Sequence, residues 1–182
     1  MSNGMDVNKI TADIVTDLAK STAKSVFEKI KNYYIDLHNK EEVDFGYAFE
    51  NYLNYSREVQ CKIKTLLYRH TPKDIYLFYE CIGLVCGNRK IDTCNVNNIV
   101  EFGHKIIITG TGGIGKSIMM KHFFLDCIKN MHLVPILIEL RGLNDIEEKN
   151  IDLVDYIYQV MDNYKFKLDK KYFQYIWRRG VI

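Results

Sequence analysis

The residues with the clearest chemical pattern lie past the middle of the chain, in the stretch IIITGTGGIGKS at residues 106–117. From Gly110 to Ser117 this stretch fits G-x-x-x-x-G-K-[ST] without a mismatch. Glycines let a backbone turn tightly, so that successive N–H groups surround a phosphate oxygen. A helix beginning at Lys116 and Ser117 would direct its unpaired N–H groups and its positive dipole end at the same anion. The spacing therefore predicts a phosphate-binding loop for a nucleotide.

Two side chains of this loop have predicted roles. We expect Lys116 to reach the β- and γ-phosphates, and the Ser117 hydroxyl to ligate Mg²⁺. The expected cofactors are ATP, with GTP as the alternative, and Mg²⁺, because the groups that would distinguish the bases lie outside this pattern. A glycine-rich turn without a ligand is the simpler reading, but an apolar stretch precedes the loop and a helical pattern follows it, as the motif requires. The predicted nucleotide-binding residues are Gly110, Thr111, Gly112, Gly113, Ile114, Gly115, Lys116 and Ser117.

Other polar residues near the loop have simpler explanations. Glu139 and Arg141 follow an apolar stretch, where ligands collect in open α/β sheets, but an ion pair at the sheet edge explains them equally well. His104 and His122 are expected to be surface or boundary residues. We predict no catalytic residue.

The elements that must position the loop alternate between strand and helix. HKIIITG, at residues 104–110, and LVPILIEL, at residues 133–140, are typical of buried strands. Helical spacing covers residues 117–130, 153–161 and 170–179, and Gly180 is placed to end the last helix. This order predicts the start of an α/β sheet with parallel strands.

The first third of the chain predicts helix instead. An apolar stripe extends through residues 7–37, and a second, after the polar break NKEEVD with Asp44 as the expected cap, extends to the RHTP segment at Pro72. A short β-hairpin is expected from residues 75–86 and 90–94, followed by a helical turn that Gly103 closes. The tyrosines of the second stripe, together with Tyr33 and Tyr34, are interpreted as core residues or as an interaction surface.

The predicted fold class is therefore α/β: an incomplete P-loop NTPase parallel sheet with flanking helices, preceded by an all-α helical pair and a short β-hairpin. The predicted regions are a helical amino-terminal region at residues 1–72, a hairpin and connector at 73–103, and a truncated nucleotide-binding domain at 104–182.

Composition excludes several classes of function. The 182 residues are 47% hydrophobic and 26% charged with a net charge of +2, and the basic residues are dispersed, so neither nucleic acid nor a membrane is indicated as a partner. The five cysteines and an amino terminus without an apolar signal core predict a cytoplasmic protein with reduced thiols. Cys81, Cys86 and Cys94 match no zinc spacing.

The loop followed by VPILIELRGLND resembles the opening of a NACHT domain, the nucleotide-binding module of the STAND class of signalling NTPases. That class includes bacterial antiphage proteins and animal innate-immunity receptors. The resemblance implies ATP binding, slow hydrolysis, and nucleotide-controlled assembly with a protein partner or with further copies. It implies binding residues only at 110–117.

In that family an acidic strand, which holds Mg²⁺ and orders water, follows some tens of residues later. Here no apolar strand ending in Asp follows the loop, and Glu139, the candidate acid, is followed by Leu and Arg instead of another acid. We therefore expect this chain to bind nucleotide without hydrolysing it, as the amino-terminal part of a longer protein. Partner binding would use the helical region or the missing carboxy-terminal part. The alternative is a non-enzymatic helical interaction module with a vestigial nucleotide site. A small-molecule kinase is less well supported, because no arginine-rich lid follows the loop.

Overall fold

Two compact units make up the structure, a computed structural model that describes residues 39–65, 68, 70–131, 134–145 and 152–178. One unit contains residues 57–131, and the other contains residues 1–56 and 132–182. The phosphate-loop stretch, the hairpin and the connector thus lie in one unit. The three regions predicted from the sequence divide the chain differently and remain predictions.

The described part of the unit formed by residues 1–56 and 132–182 is helical. It contains most of α1 (Asn39–Gln60), together with α4 (Leu153–Asn163), α5 (Lys170–Arg178) and a 3-10 helix (Leu140–Asp145). The carboxylate of Asp152 accepts hydrogen bonds from the backbone N–H groups of Val154, at 2.9 Å, and Asp155, at 3.2 Å, which fixes the start of α4. Both α4 and α5 fall where the sequence periodicity predicts them.

An aromatic core holds this unit together. Phe49, Tyr52 and Leu53 are spaced on one face of α1 and are buried there. The ring of Phe166 lies 5.0 Å from that of Phe49 and 6.2 Å from that of Phe173, in edge-to-face arrangements. The buried Tyr52 hydroxyl donates to the backbone oxygen of Pro135 at 2.7 Å.

The unit at residues 57–131 combines short strands with one longer helix. β1 (Lys62–Ile63) pairs antiparallel with β2 (Lys73–Asp74), and β3 (Leu84–Cys86) with β4 (Arg89–Ile91). A 3-10 turn (Ile75–Leu77), α2 (Asn97–Val100) and α3 (Lys116–Asp126) complete it, and a π-helical segment (Cys127–Met131) extends α3. The β3–β4 pair confirms the predicted hairpin, within narrower bounds.

The core of this unit lies beneath the hairpin. Val96, Ile99, Met119 and Phe123 are buried together, so α2 and α3 face each other through apolar side chains. The partly buried hydrophobic residues packed against them are Tyr79, Leu84, Ile91, Ile108 and Cys127.

The expected parallel sheet does not form within the described residues. Residues 105–110 and 134–139 belong to no strand, and residues 105–110 make no backbone–backbone hydrogen bond to the described part of the chain. Ile107 is 91% exposed and Ile106 is 42% exposed, while Ile108 packs on the core. The strand prediction was wrong here because an apolar run becomes a sheet strand only when neighbouring strands satisfy its backbone.

Other predictions also need correction. Asp44 does not cap a helix, because α1 begins at Asn39 and runs through it. Lys and Glu have high helix propensity, so NKEEVD continues a helix as readily as it ends one. Cys81 and Cys94 form a disulfide instead of remaining reduced. The first helix of the predicted pair, with Tyr33 and Tyr34, and the predicted end at Gly180 lie outside the described residues.

Candidate functional site: a glycine loop at the start of α3

The loop before α3 requires glycine at two positions. Gly113 has φ +78° and Gly115 has φ +99°, backbone conformations that residues with a Cβ rarely adopt. Gly115 is also the N-cap of α3, and its carbonyl oxygen accepts the hydrogen bond of the Met119 N–H at 2.9 Å. The chain therefore turns sharply and enters the helix at Lys116.

The start of α3 offers hydrogen-bond donors to an anion. An α-helix leaves its first N–H groups without partners inside the helix, and its dipole is positive at this end. Gly115 has no side chain that could accept hydrogen bonds from these groups, and Ser117 is exposed in the first turn. The arrangement matches what a phosphate group needs at a helix start.

The Lys116 side chain folds back over the loop. Its Nζ donates to the backbone oxygen of Gly110 at 2.7 Å and to that of Thr111 at 2.8 Å. The ammonium group thus crosses the glycine loop and donates there to neutral carbonyl oxygens. A phosphate oxygen would be a stronger acceptor for this group, because hydrogen bonds between charged partners exceed those to neutral ones.

A cavity of about 390 Å³ adjoins the loop within the same unit. Its walls come from the β3–β4 hairpin, α2, the extended residues 106–110 and the first turn of α3. Most lining side chains are apolar, among them Leu84, Ile91, Phe102 and Met119, while Thr109 and Lys116 supply polar groups. This cavity suits an apolar or aromatic group attached to an anion.

Ile82 fixes the hairpin side of the cavity against the loop. A Cβ placed on Gly115 would lie 3.0 Å from Ile82 Cδ1, closer than real Cβ contacts allow without a shift. Gly112, by contrast, would meet no atom within 4 Å. Glycine at position 115 is thus favoured by its φ angle, and a Cβ there would also have to displace the end of the Ile82 side chain.

A polar cluster around the buried His122 packs against α3 about two turns after Gly115. His122, predicted as a surface or boundary residue, is buried, and its Nε2 lies 3.1 Å from the Thr93 carbonyl oxygen and 3.3 Å from that of Cys94. Carbonyl oxygens only accept, so Nε2 carries the proton and donates. The Tyr76 hydroxyl lies 3.3 Å from His122 Nδ1, and burial raises the pKa of Tyr76 to about 12.

The remaining polar residues considered in the sequence are all exposed. His104 is exposed, and Glu139 and Arg141 are exposed residues of the other unit. Across the described part of the chain, no three His, Cys, Asp or Glu side chains form a group that could hold a metal ion. The Ser117 hydroxyl could still contribute one ligand to a Mg²⁺ ion, since Mg²⁺ usually takes its other ligands from phosphates and water.

The cavity, the role of Ile82 and the disulfide were not predicted from the sequence. The disulfide had a detectable signal: Cys81 stands three residues before Leu84, and Cys94 three residues after its ladder partner Ile91. Extending the hairpin register therefore places the two cysteines opposite each other, at a Cα–Cα distance of 5.3 Å. The cavity had no such signal, because it depends on how the hairpin packs against residues 106–110.

Comparison of the chain with protein-family models, with curated proteins and with solved structures gave no match. In the ranges that the structure describes, no helix combines the length and the apolar character needed to cross a lipid bilayer.

Proposed function

We propose that this chain binds a nucleoside triphosphate, ATP with GTP as the alternative, together with Mg²⁺, through residues 110–117. The observation that carries this proposal is the combination of three features in one loop. Gly113 and Gly115 adopt left-handed φ angles, α3 begins directly after them, and the Lys116 ammonium lies across the loop. A phosphate site of the P-loop type combines all three.

The phosphates would take over the hydrogen bonds that the loop now makes to itself. The first N–H groups of α3 would donate to phosphate oxygens, and Lys116 would exchange the Gly110 and Thr111 carbonyls for the β- and γ-phosphates. The Ser117 hydroxyl would hold Mg²⁺, and this ion would offset the negative charge of the phosphates.

The base would occupy the apolar cavity beside the loop. A volume of about 390 Å³ lies within the range of small-molecule sites, and its lining offers apolar surface in place of base-specific polar groups. Binding would come from burial and dispersion, which are similar for all purines. We therefore expect ATP and GTP to bind with affinities within about tenfold, or about 1.4 kcal/mol, of each other.

We also propose binding without turnover. None of the described residues that line the cavity carries a carboxylate. Asp126, on α3, is buried and accepts the Val96 N–H at 2.8 Å, so it caps the start of α2 instead of facing the loop.

The NACHT resemblance extends this proposal to a signalling role. It rests on residues 106–117 and 134–145 alone, since the parallel sheet of that family does not form within the described residues. On this basis nucleotide occupancy would control association with a protein partner or with further copies of the chain, in innate or antiviral defence.

A binding titration tests the proposal. A fluorescent ATP analogue with Mg²⁺ would be titrated into the 182-residue chain, into Lys116→Ala, and into Lys129→Ala, which removes an exposed lysine beyond the other end of α3. We expect saturable binding by the wild type and Lys129→Ala, and about 10- to 100-fold weaker binding by Lys116→Ala, the value of one or two charged hydrogen bonds.

Two results would overturn this function. If Lys116→Ala bound the ATP analogue as tightly as the wild type, binding would not occur through this loop. No binding by a wild-type chain that is folded by circular dichroism would favour the alternative, a helical interaction module with a vestigial site. Phosphate release from ATP, measured in parallel, tests the second half of the proposal, and turnover that Lys116→Ala abolishes would refute binding without hydrolysis.

A further inference from the structure

The disulfide between Cys81 and Cys94 closes the open end of the β3–β4 hairpin. Both cysteines are exposed, so a thiol reductant can reach them. The hairpin ladder has only three residue pairs, Leu84 with Ile91, Val85 with Lys90 and Cys86 with Arg89. A two-stranded hairpin of this length is marginal in water by itself, so its position depends on what closes it.

One half of the disulfide is connected to the glycine loop through its sequence neighbour. Ile82 follows Cys81 directly, lines the cavity, and places Cδ1 3.0 Å from where a Cβ of Gly115 would stand. The position of Cys81 therefore determines how closely the hairpin wall approaches the N-cap of α3.

The other half is connected to α3 itself. His122 of α3 donates its Nε2 hydrogen to the carbonyl oxygens of Thr93 and Cys94. The two flanks also join each other, because the Thr93 hydroxyl donates to the Ile82 carbonyl oxygen at 2.6 Å. The disulfide thus lies between two contacts to the same helix, one at its N-cap and one about two turns later.

We propose that the Cys81–Cys94 disulfide is a redox control on the nucleotide site, an inference that rests on the proposed function. In the oxidised state the disulfide holds Ile82 against Gly115 and keeps the cavity wall closed. A dithiol reductant transfers two electrons and two protons to the disulfide, which yields two cysteine thiols and the oxidised form of the reductant. The wall then loosens, and nucleotide binds more weakly.

The test compares nucleotide affinity in the two redox states of the full 182-residue chain. A fluorescent ATP analogue with Mg²⁺ is titrated before and after treatment with dithiothreitol, and mass spectrometry of the unreduced chain establishes whether Cys81 and Cys94 are linked. We expect reduction to weaken binding about fivefold or more, the lower end of coupling between sites. The double variant Cys81→Ser/Cys94→Ser should show the weaker affinity under both conditions.

Cys61→Ser is the matched control. Cys61 is a half-buried free cysteine that bonds to the Glu58 backbone oxygen and does not line the cavity, so this variant should respond to reduction as the wild type does. Unlinked Cys81 and Cys94 in the unreduced chain would overturn the inference. Equal nucleotide affinity of the disulfide-linked and the reduced wild type would also overturn the inference, but it would leave the proposed nucleotide site standing.

A second measurement separates this inference from the proposed function. Amide hydrogen exchange at residues 110–117, followed without nucleotide, should become faster on reduction while the far-ultraviolet circular dichroism stays unchanged. If the chain bound no nucleotide in either redox state but exchanged faster after reduction, the proposed nucleotide binding would be refuted and the coupling between the disulfide and the loop would stand. Unchanged exchange in such a chain, or global unfolding on reduction, would refute the coupling.

Discussion

Replacing the loop glycines one at a time tests the geometry of the site most directly. Gly112, Gly113 and Gly115 lie within four residues, yet an added Cβ meets different conditions at each. Gly112 has no positive φ, and a Cβ there would have no atom within 4 Å. Gly113 has φ +78° and also has open space around an added Cβ. Gly115 has φ +99°, and its added Cβ would lie 3.0 Å from Ile82 Cδ1. Three alanine variants therefore separate the backbone effect from the contact.

The expected losses in the free energy of unfolding follow from these conditions. Gly112→Ala should stay within about 0.5 kcal/mol of the wild type, as at an unconstrained position. Gly113→Ala should cost about 1–2 kcal/mol, the penalty of a left-handed backbone for a residue with a Cβ. Gly115→Ala should cost about 2–4 kcal/mol, because a strained backbone of about 1–3 kcal/mol is joined by about 1 kcal/mol for displacing the Ile82 side chain from its rotamer.

A double-mutant cycle isolates the contact. Ile82→Val removes Cδ1, so in the Gly115→Ala background it should restore about 1 kcal/mol relative to its effect in the wild type. The assay is urea unfolding followed by circular dichroism, with the slope of the transition checked for constancy. A loss for Gly112→Ala equal to that for Gly115→Ala would refute the backbone reasoning, and the absence of coupling would refute the contact.

The unit of residues 1–56 and 132–182 and the polar cluster around His122 give two further predictions. Phe166→Ala should lower the free energy of unfolding by about 3–5 kcal/mol, since this ring is fully buried, while Tyr47→Ala, at a side chain 59% exposed, should change it by less than about 0.5 kcal/mol in the same urea assay. Burial raises the pKa of Tyr76 from 10.0 to about 12, so the folded state favours its neutral form, and this contribution is present below pH 10 and lost as the pH rises toward 12. Stability measured from pH 8 to 12 should therefore fall more steeply for the wild type than for Tyr76→Phe, and parallel curves would contradict this assignment.

Local patterns predicted the local elements of this fold. The helices at Leu153–Asn163 and Lys170–Arg178 follow from apolar spacing within each segment, and the hairpin turn follows from Gly87 and Asn88. Gly113 and Gly115 could likewise be identified from the sequence, since a positive φ at these two positions favours glycine.

Contacts between segments that are distant in the chain could not be predicted from the sequence. Residues 105–110 have the composition of a buried strand, but a strand also needs a neighbour, and no residue inside the segment specifies one. The burial of His122 is similar, because its partners Thr93 and Cys94 come from another part of the chain. The register that joins Cys81 to Cys94 could have been extended from the hairpin, whereas the packing that creates the cavity could not.

The apolar run at residues 106–108, in which Ile106 and Ile107 are exposed, has a consequence for the behaviour of the chain in solution. Three successive isoleucines combine high β-propensity with no charge, and the backbone around them makes no ladder within the described residues. Such a segment is a template for adding strands edge to edge, and Lys105 is the only charged residue in 105–110 that opposes this. We therefore expect the colloidal stability of the isolated chain to depend on this lysine, and concentrated samples to form β-rich aggregates that begin beside the glycine loop.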